Sequence, residues 1–402
     1  MFTDVLDPVK KIAKEKLITE FFKTHSYHKK NVVDELFTDQ PYDFSPPWQE
    51  RFLKAMQYSL RHHYAHSNFY RKLCEYKDYD PASLRTFEDI WNIPFVLSDV
   101  FKMYNVETRT NEFIKEDMSS SGTSGRKSRI VIDILSGHRL MHSIYHTSKA
   151  LGLADTQGAN YLMMGYDPSL DETLGTTVSD IMLSYLTPQQ SIFYTLGLVE
   201  EGRIGFLRDK TVEKLKQFVS EGRPIRILGF IHYICEAIKA YNERYGKLEL
   251  PERSYIISGG GWKSAGSPYG AAFNFHEFLR ENTNIDLRNV RDLYTLIEHE
   301  VFYTECEHHN MHIPNVVMVC ARDPRNMERL GYGEKGLIHL YSPVIESCPT
   351  LSLLTTDYGY IGERCTCPIG GPYLKIIGRA GVTKKITCAF TADQYIERSA
   401  KK

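Results

Sequence analysis

The sequence predicts an α/β fold in which helices pack on mostly parallel sheets, together with a smaller β-rich subdomain. Two observations support this prediction. From about residue 115, short apolar strands alternate with segments of helical periodicity, an order typical of parallel strands covered by helices on both faces. After about residue 300 the pattern becomes strand-rich with frequent turn signals, which predicts the second subdomain.

The individual elements follow from these patterns. Predicted strands, rich in β-branched and apolar residues, span 128–135, 161–165, 225–230 and 255–258. Helical spacing predicts helices over 137–152, 176–187, 211–221 and 231–245. The first hundred residues are predicted to be mostly helical, with Phe52, Met56 and Leu60 at helical spacing after the Pro46-Pro47 break. We divide the chain into an N-terminal helical region (1–100), a core (101–378) and a short C-terminal arm (379–402).

Composition and charge restrict the function classes. The chain has 402 residues, 42% of them hydrophobic, which is enough to bury a large core. With 49 basic and 50 acidic residues there is no cationic excess for phosphate backbones, so no nucleic-acid partner is expected. No apolar run reaches 18 residues, so no transmembrane segment is expected. The eight cysteines are scattered, as in cytoplasmic proteins with free thiols, and we expect a cytoplasmic location.

A loop over 119–128, SSSGTSGRKS, has the composition of a polyphosphate site. Glycine lets the backbone turn its N–H groups toward an anion, while hydroxyl groups donate hydrogen bonds and nearby cations neutralise charge. Gly122 and Gly125 are too close together for the common GxxxxGK[ST] pattern. On composition alone, a flexible surface loop is an equally good interpretation.

Four further motifs follow in order. They are SGGGWK at 258–263, YTLIE at 294–298, TTDYG at 355–359 and Gly378-Arg379. With the loop, this set resembles the adenylate-forming enzymes. Within that superfamily the chain is most similar to the acyl-protein synthetases of bacterial bioluminescence fatty-acid reductases (long-chain-fatty-acid–luciferin-component ligases), and next to the phenylacetate–CoA ligases. The resemblance implies the large-domain fold of these enzymes and a ligase that joins a carboxylate to ATP, giving an acyl-adenylate and pyrophosphate.

The resemblance also assigns roles to residues. Lys127 and Glu298 would be catalytic, with Glu298 holding Mg²⁺, a hard cation that prefers oxygen ligands. Tyr294 would stack on adenine, Asp357 would accept hydrogen bonds from the ribose, and Arg379 would lie nearby. The expected phosphate-binding residues are Ser120, Ser121, Gly122, Thr123, Ser124, Gly125 and Lys127. The expected close approaches of backbone to the adenylate are at Gly259, Gly260 and Gly261.

Simpler interpretations of these residues remain open at this point. Glu298 lies in IEHE, which also suits a solvated helix face. Asp357 also suits a turn beside Gly359, and Tyr294 also suits a core position. The apolar segment 228–231, with the helix that follows it to Ile238, is expected to line the acyl pocket.

Only residues 380–402 follow Arg379, where typical relatives carry a lid domain. We therefore expect the standard lid and its catalytic lysine to be absent. Cys388, beside Lys384 and Lys385, resembles the acyl-accepting cysteine of the acyl-protein synthetases, and nearby positive charge favours its thiolate. Cys388 would take the acyl group as a thioester. A surface or edge-strand cysteine is the alternative.

A second cluster suggests a structural zinc site. Cys365 and Cys367 form a Cys-x-Cys, whose thiolates share one face of an extended strand and can meet one metal ion. Cys306 and His312 would complete a tetrahedral Zn²⁺ site, with His308 or His309 as substitutes for His312. Free buried thiols and surface histidines are the alternative.

The sequence thus predicts an enzyme that activates a carboxylic, and by resemblance fatty, acid with ATP and passes the acyl group to a cysteine. A partner reductase or transferase would collect it. The alternatives are an acyl- or aryl-CoA ligase of the phenylacetate type, which would not need Cys388, and a non-catalytic nucleotide-binding partner subunit.

Overall fold

The computed structural model of the chain describes residues 30–38, 40–110, 115–119, 128–170, 175–199, 203–259 and 273–380. Its helices are α1 (Pro46–His66), α2 (Asn68–Tyr76), α3 (Val100–Met103), α4 (Ile134–Ala150), α5 (Gly175–Ser184), α6 (Arg208–Ser220), α7 (Ile231–Tyr245) and α8 (Phe275–Asn282). Short 3-10 turns lie at Val32–Leu36, Pro81–Ser83, Phe87–Asn92 and Leu287–Asn289.

The strands belong to two large sheets and one hairpin. In chain order they are β1 (Val96–Leu97), β2 (Lys115–Ser119), β3 (Arg129–Asp133), β4 (Ala159–Tyr166), β5 (Gln189–Leu198), β6 (Ile204–Phe206), β7 (Ile225–Phe230), β8 (Tyr255–Gly259), β9 (Val290–Tyr294), β10 (Tyr303–Thr304), β11 (Met311–His312), β12 (Met318–Arg322), β13 (Gly336–Tyr341), β14 (Ser352–Gly362) and β15 (Tyr373–Arg379).

Helix α1 shows how the N-terminal region packs. Pro46 and Pro47 occupy its first turn, where a missing backbone N–H costs nothing. Phe52, Met56 and Leu60 recur every four residues and are fully buried, so the apolar stripe faces the core. These side chains belong to the same buried cluster as residues of the second sheet, so the N-terminal helices share a core with that sheet.

The first sheet is mostly parallel, as predicted. Its order is β10-β9-β8-β7-β4-β5-β6, with β4, β5, β7, β8 and β9 parallel to one another and β10 and β6 antiparallel at the edges. The predictions for 225–230 and 231–245 match β7 and α7 residue for residue. Strand β5 was not predicted, because its first residues, Gln189 to Ser191, are polar and partly exposed near the sheet edge.

The second sheet is antiparallel apart from one strand, and it confirms the β-rich region predicted after residue 300. Its order is β11-β15-β14-β13-β12, and β1 adds to β14 in parallel. Strands β14 and β15 form a hairpin whose open end pairs Asp357 with Arg379. This hairpin is central to the site described below.

The hairpin of β2 and β3 leads into the first large helix. Ser119 pairs with Arg129 across it, so both ends of the connection between the two strands lie at one point. The predicted strand 128–135 is too long, because Asp133 ends it: the Asp133 carboxylate accepts the Ser136 N–H at 2.9 Å and caps α4, which begins at Ile134. The helix therefore starts three residues before the predicted position.

A buried ion triad ties the N-terminal region to α4. The Arg139 guanidinium, fully buried, lies 2.7 Å from Asp34 Oδ1 and 2.8 Å from Glu346 Oε1. Its remaining donors reach the Val344 carbonyl and the Asn31 side chain. The two carboxylates, the carbonyl and the amide together accept from most of the guanidinium donors, as a buried charge requires.

Among the described residues, no helix combines the length and the apolar character needed to cross a membrane.

Candidate functional site

The predicted nucleotide residues that the structure describes come from four strands. Gly259 and Tyr294 end the neighbouring parallel strands β8 and β9, while Asp357 and Arg379 lie on β14 and β15. The carboxyl ends of parallel strands are the usual place for a ligand site in α/β proteins. The other predicted nucleotide and acyl-accepting residues, which lie outside the described residues, are Ser120, Ser121, Gly122, Thr123, Ser124, Gly125, Lys127, Gly260, Gly261 and Cys388.

Asp357 is the centre of the best-defined part of the site. The Tyr294 hydroxyl donates to Asp357 Oδ2 at 2.8 Å, and Arg379 Nε donates to Oδ1 at 3.0 Å. Asp357 is only 4% exposed and lies in a strand, so the turn interpretation is wrong. Burial and the neighbouring Asp357 charge raise the pKa of Tyr294 well above its usual value, which keeps the phenol a hydrogen-bond donor.

The Asp357 carboxylate keeps acceptor capacity after these two bonds. Each carboxylate oxygen accepts more than one hydrogen bond, so further donors such as a pair of ribose hydroxyls can still bind. Tyr294 is half-buried, with its ring 5.7 Å from that of Tyr303 across the β9–β10 pair, so a core position describes only part of its environment. Stacking of Tyr294 on adenine stays a prediction.

Glu298 lies in a turn after β9 and is buried, so the interpretation as a solvated helix face is wrong. The hydroxyl of Ser128, the last residue of the predicted phosphate loop, donates to Glu298 Oε1 at 2.5 Å. Burial raises the pKa of the Glu298 carboxyl, and the Ser128 hydrogen bond opposes that rise. A bound cation would favour the ionised carboxylate, which is the property expected of a Mg²⁺ ligand.

Two buried groups beside Glu298 were not predicted from the sequence. Glu300 is 3% exposed with a positive φ of 53°, and burial together with the Glu298 charge raises its pKa well above the usual value. His299 is bonded to the Tyr303 hydroxyl at 2.8 Å, and burial lowers its pKa to about 3. The only sequence signal was the IEHE string itself, which also suits an exposed helix.

A second unpredicted carboxyl, that of Asp292, lies behind Gly259. The Ser258 hydroxyl donates to Asp292 Oδ1 at 3.1 Å, and the Asp292 backbone N–H donates to Glu305 at 2.9 Å. Burial and the Glu305 charge raise the pKa of Asp292 to about 7. A side chain added at Gly259 would meet no atom within 4 Å, so this backbone borders open space, as a close approach to a ligand requires.

Two residues of the helix that is predicted to line the acyl pocket lie in the core, and the pocket itself stays a prediction. Ile234 and Ile238 on α7 are fully buried in a cluster with α6 side chains, so they fill the core. Gly229, by contrast, has a φ of 124°, and an added Cβ would lie 2.6 Å from the Met164 carbonyl oxygen. Only glycine fits at that position on β7.

The second cluster brings together four predicted ligands. Cys306, His312, Cys365 and Cys367 are buried, and their candidate ligand atoms all lie within 4.8 Å of one another. The Cys306 and Cys365 sulfurs are 3.7 Å apart, and Cys367 Sγ lies 3.2 Å from His312 Nε2. Two thiolates on a tetrahedral Zn²⁺ with bonds of about 2.3 Å would be separated by about 3.8 Å, so the donor set fits zinc.

The geometry of the Cys-x-Cys differs from the prediction. Cys365 and Cys367 lie in the irregular loop between β14 and β15, where the sequence analysis expected an extended strand. Hydrogen bonds from the Cys365 N–H to Gly371 and from the Gly370 N–H to Cys367 fold this loop. The turn, which has positive φ at both Gly370 and Gly371, brings the two thiols to the same centre.

The histidine alternatives are also decided. His308 donates its backbone N–H to Cys306 Sγ at 3.4 Å and bonds Thr366 with its ring, while His309 lies 3.4 Å from Glu305. His312 therefore supplies the nitrogen of the cluster. Burial lowers its pKa to about 4, so the imidazole is neutral near pH 7, as a metal ligand must be.

Comparison with known proteins gives relatives over nearly the whole chain. The family described as "Acyl-protein synthetase, LuxE" matches residues 23–396. The long-chain-fatty-acid–luciferin-component ligase of Aliivibrio fischeri is 26% identical over 390 residues, which cover 95% of this chain and 99% of that protein. The ligase of the same name from Vibrio harveyi is 26% identical over 344 residues, covering 83% of this chain and 85% of that protein.

Among solved structures, an open conformation of 2-hydroxyisobutyryl-CoA ligase, in complex with 2-HIB-AMP and CoA, superposes with a TM-score of 0.60. The identity is 14%, and the match covers 82% of this chain and 74% of that chain. At this identity the likeness concerns the fold, and it confirms the predicted large-domain α/β fold of the adenylate-forming enzymes.

Proposed function

Because the chain belongs to the acyl-protein synthetase family, and is therefore a ligase, we propose that it activates a long-chain fatty acid with ATP and then carries the acyl group on Cys388. The chain length follows the names of the Aliivibrio and Vibrio relatives. The observation that carries the proposal is the convergence of Asp357, Tyr294 and Arg379 beside the buried pair of Glu298 and Ser128.

In the first step, a carboxylate oxygen of the acid attacks the α-phosphorus of ATP. The bond from the α-phosphorus to its bridging oxygen breaks, and pyrophosphate leaves with the electron pair. Both reactants are anions, so positioning and charge neutralisation dominate the barrier. Asp357 holds the ribose through its free acceptor positions, Tyr294 flanks the adenine, and Arg379 keeps the Asp357 carboxylate in place.

The phosphates occupy the loop of Ser120, Ser121, Gly122, Thr123, Ser124, Gly125 and Lys127. Glu298 would hold Mg²⁺, which would supply positive charge to the phosphate oxygens. The Ser128 hydrogen bond supports that role, because it favours the ionised form of Glu298. The backbone of Gly259, Gly260 and Gly261 borders the adenylate.

In the second step, the Cys388 thiolate attacks the acyl carbonyl carbon, the mixed anhydride breaks, and AMP leaves. The product is a thioester on the protein. A reductase or transferase of the cytoplasm then accepts the acyl group. Cys306, His312, Cys365 and Cys367 would hold Zn²⁺, which would fix the β14–β15 loop against the segment after β10 in a structural role.

Acid-dependent exchange of pyrophosphate into ATP, measured across fatty acids of increasing length, tests the first step. We expect exchange with a long-chain optimum, and no exchange with any acid would overturn the proposal. Labelled acid with ATP should leave hydroxylamine-sensitive label on the wild-type protein and on Cys74→Ala, but not on Cys388→Ser. AMP release that requires CoA and persists in Cys388→Ser would identify a CoA ligase.

A further inference from the structure

Lys102 lies on α3, close to the nucleotide site, although no motif of the sequence includes it. Strand β1 runs parallel to β14 and pairs Leu97 with Leu354, three residues before Asp357. Strand β15 takes over the same edge of β14 at Asp357, where it pairs Arg379. The chain leaving β1 therefore enters α3 beside the open end of the β14–β15 hairpin.

One packing contact and one longer-range electrostatic interaction place Lys102 on the phosphate side of this end. Helix α3 packs against β3, which begins directly after Ser128, the residue bonded to Glu298. The charges of Lys102 and Arg379 both act on the buried Glu298 carboxyl and favour its ionised form. The protein therefore provides two cations from two different elements around Glu298.

The Lys102 side chain has a weak resting partner. Its Nζ lies 2.6 Å from Asp99 Oδ1 in an i,i+3 pair, with the Lys102 side chain 24% exposed and that of Asp99 49% exposed. Pairs at such partly exposed positions contribute little to stability, so the ammonium can exchange Asp99 for a stronger anion. A lysine on a flexible stem binds phosphate as a mobile point charge.

We infer that Lys102 is a further substrate-binding residue. When ATP binds, the Lys102 ammonium breaks its ion pair with Asp99 and contacts the β- or γ-phosphate next to the Glu298 carboxylate. The inference rests on the proposed function, because it assumes that ATP occupies this site. In the adenylation step, pyrophosphate leaves with the electron pair of the broken bond. A cation at that position neutralises the charge that the leaving group gains.

The affinities of the protein for ATP and for AMP, each measured by calorimetric titration of the nucleotide into the protein in the presence of Mg²⁺, test the inference. AMP lacks the β- and γ-phosphates, so Lys102→Gln should weaken ATP about tenfold and AMP by less than about twofold. Lys102→Arg should restore most of the ATP affinity. Lys54→Gln is the matched control, since Lys54 also pairs with an acid, Glu50 at 2.8 Å, but lies on the exposed face of α1.

Equal weakening of ATP and AMP, or no change in either, overturns the inference, because a merely structural role acts on both ligands alike. Lys102→Met, which keeps the apolar stem, gives the same test should Lys102→Gln fold poorly. The binding assay needs no acid and no turnover. Absence of exchange with every acid therefore removes the proposed function, while the ratio of ATP to AMP affinity still decides the role of Lys102.

Discussion

The two ends of the β14–β15 hairpin carry two differently built polar sites. At the open end, Asp357 is held by donors from the chain itself, the Tyr294 hydroxyl and the Arg379 guanidinium. At the closed end, Cys365 and Cys367 face Cys306 and His312, four groups that all donate electron pairs. The side-chain bonds that hold Asp357 at the open end therefore need no ligand, whereas the geometry of the closed end fits a site completed by a metal ion.

The largest expected effect is at the closed end. We expect one Zn²⁺ per chain, and its removal by a strong chelator should lower Tm by about 10 °C, since the free energy of metal binding contributes to folding. Metal analysis and thermal unfolding measure both quantities. Cys365→Ser should abolish the metal, while Cys320→Ala, a buried cysteine of β12, should retain it. A metal-free protein with an unchanged Tm in chelator would remove the proposed difference between the two ends.

Substitution at the open end should lower activity and leave the stability of the fold unchanged. Asp357→Asn replaces the carboxylate that would accept hydrogen bonds from the ribose hydroxyls with a neutral amide. Because two hydrogen bonds to a charged group are lost, kcat/KM for ATP in pyrophosphate exchange should fall about a hundredfold. Asp323→Asn breaks a similar aspartate–arginine pair, with Arg325 at 2.6 Å, away from the site and should leave exchange unchanged. Loss of pyrophosphate exchange in both Asp357→Asn and Asp323→Asn would indicate a general effect on the fold.

Asp292, between the two sites, should give a pH-dependent change in stability. Its pKa in the folded protein, about 7, is above the ordinary value of 3.8. An acid of raised pKa destabilises the fold progressively as pH rises through that window, because the unfolded state ionises first. Asp292→Asn should therefore gain at most about 4 kcal/mol of stability at pH 8 relative to pH 4.

Denaturant unfolding of wild type and Asp292→Asn across this pH range measures the gain. Asp286→Asn provides a control of opposite sign, since hydrogen bonds from Arg288 lower the pKa of Asp286. A constant difference between Asp292→Asn and wild type at all pH values would contradict the raised pKa.

The smallest effect should come from removal of the Tyr294 hydroxyl, which donates a hydrogen bond to Asp357. Tyr294→Phe keeps the ring and removes the hydroxyl that bonds Oδ2, so KM for ATP should rise about fivefold with little change in kcat. Tyr332→Phe, on an exposed tyrosine, should have no effect. A large fall in kcat for Tyr294→Phe would mean that the hydroxyl acts on the reacting atoms.

Local pattern was sufficient for much of the fold. Strand β7 and helix α7 were predicted with their exact bounds, because continuous apolar runs and helical spacing depend on neighbouring residues. The end of β3 was missed because the Asp133 cap decides it, and β5 was missed because its polar first half lies near a sheet edge. A helix cap or the edge of a sheet depends on a few atoms, so the periodicity of apolar residues does not predict it.

The sequence by itself determined which chemical groups this protein has: a hydroxyl-rich and glycine-rich loop, ordered motifs around Tyr294, Glu298 and Asp357, and a Cys-x-Cys. Only the tertiary structure decided that Glu298 is buried against Ser128, that His312 and not His308 joins the cysteines, and that Lys102 lies beside the site. The physical reason is that residue chemistry is local, whereas burial and proximity arise from strand pairing between segments that are far apart in the chain.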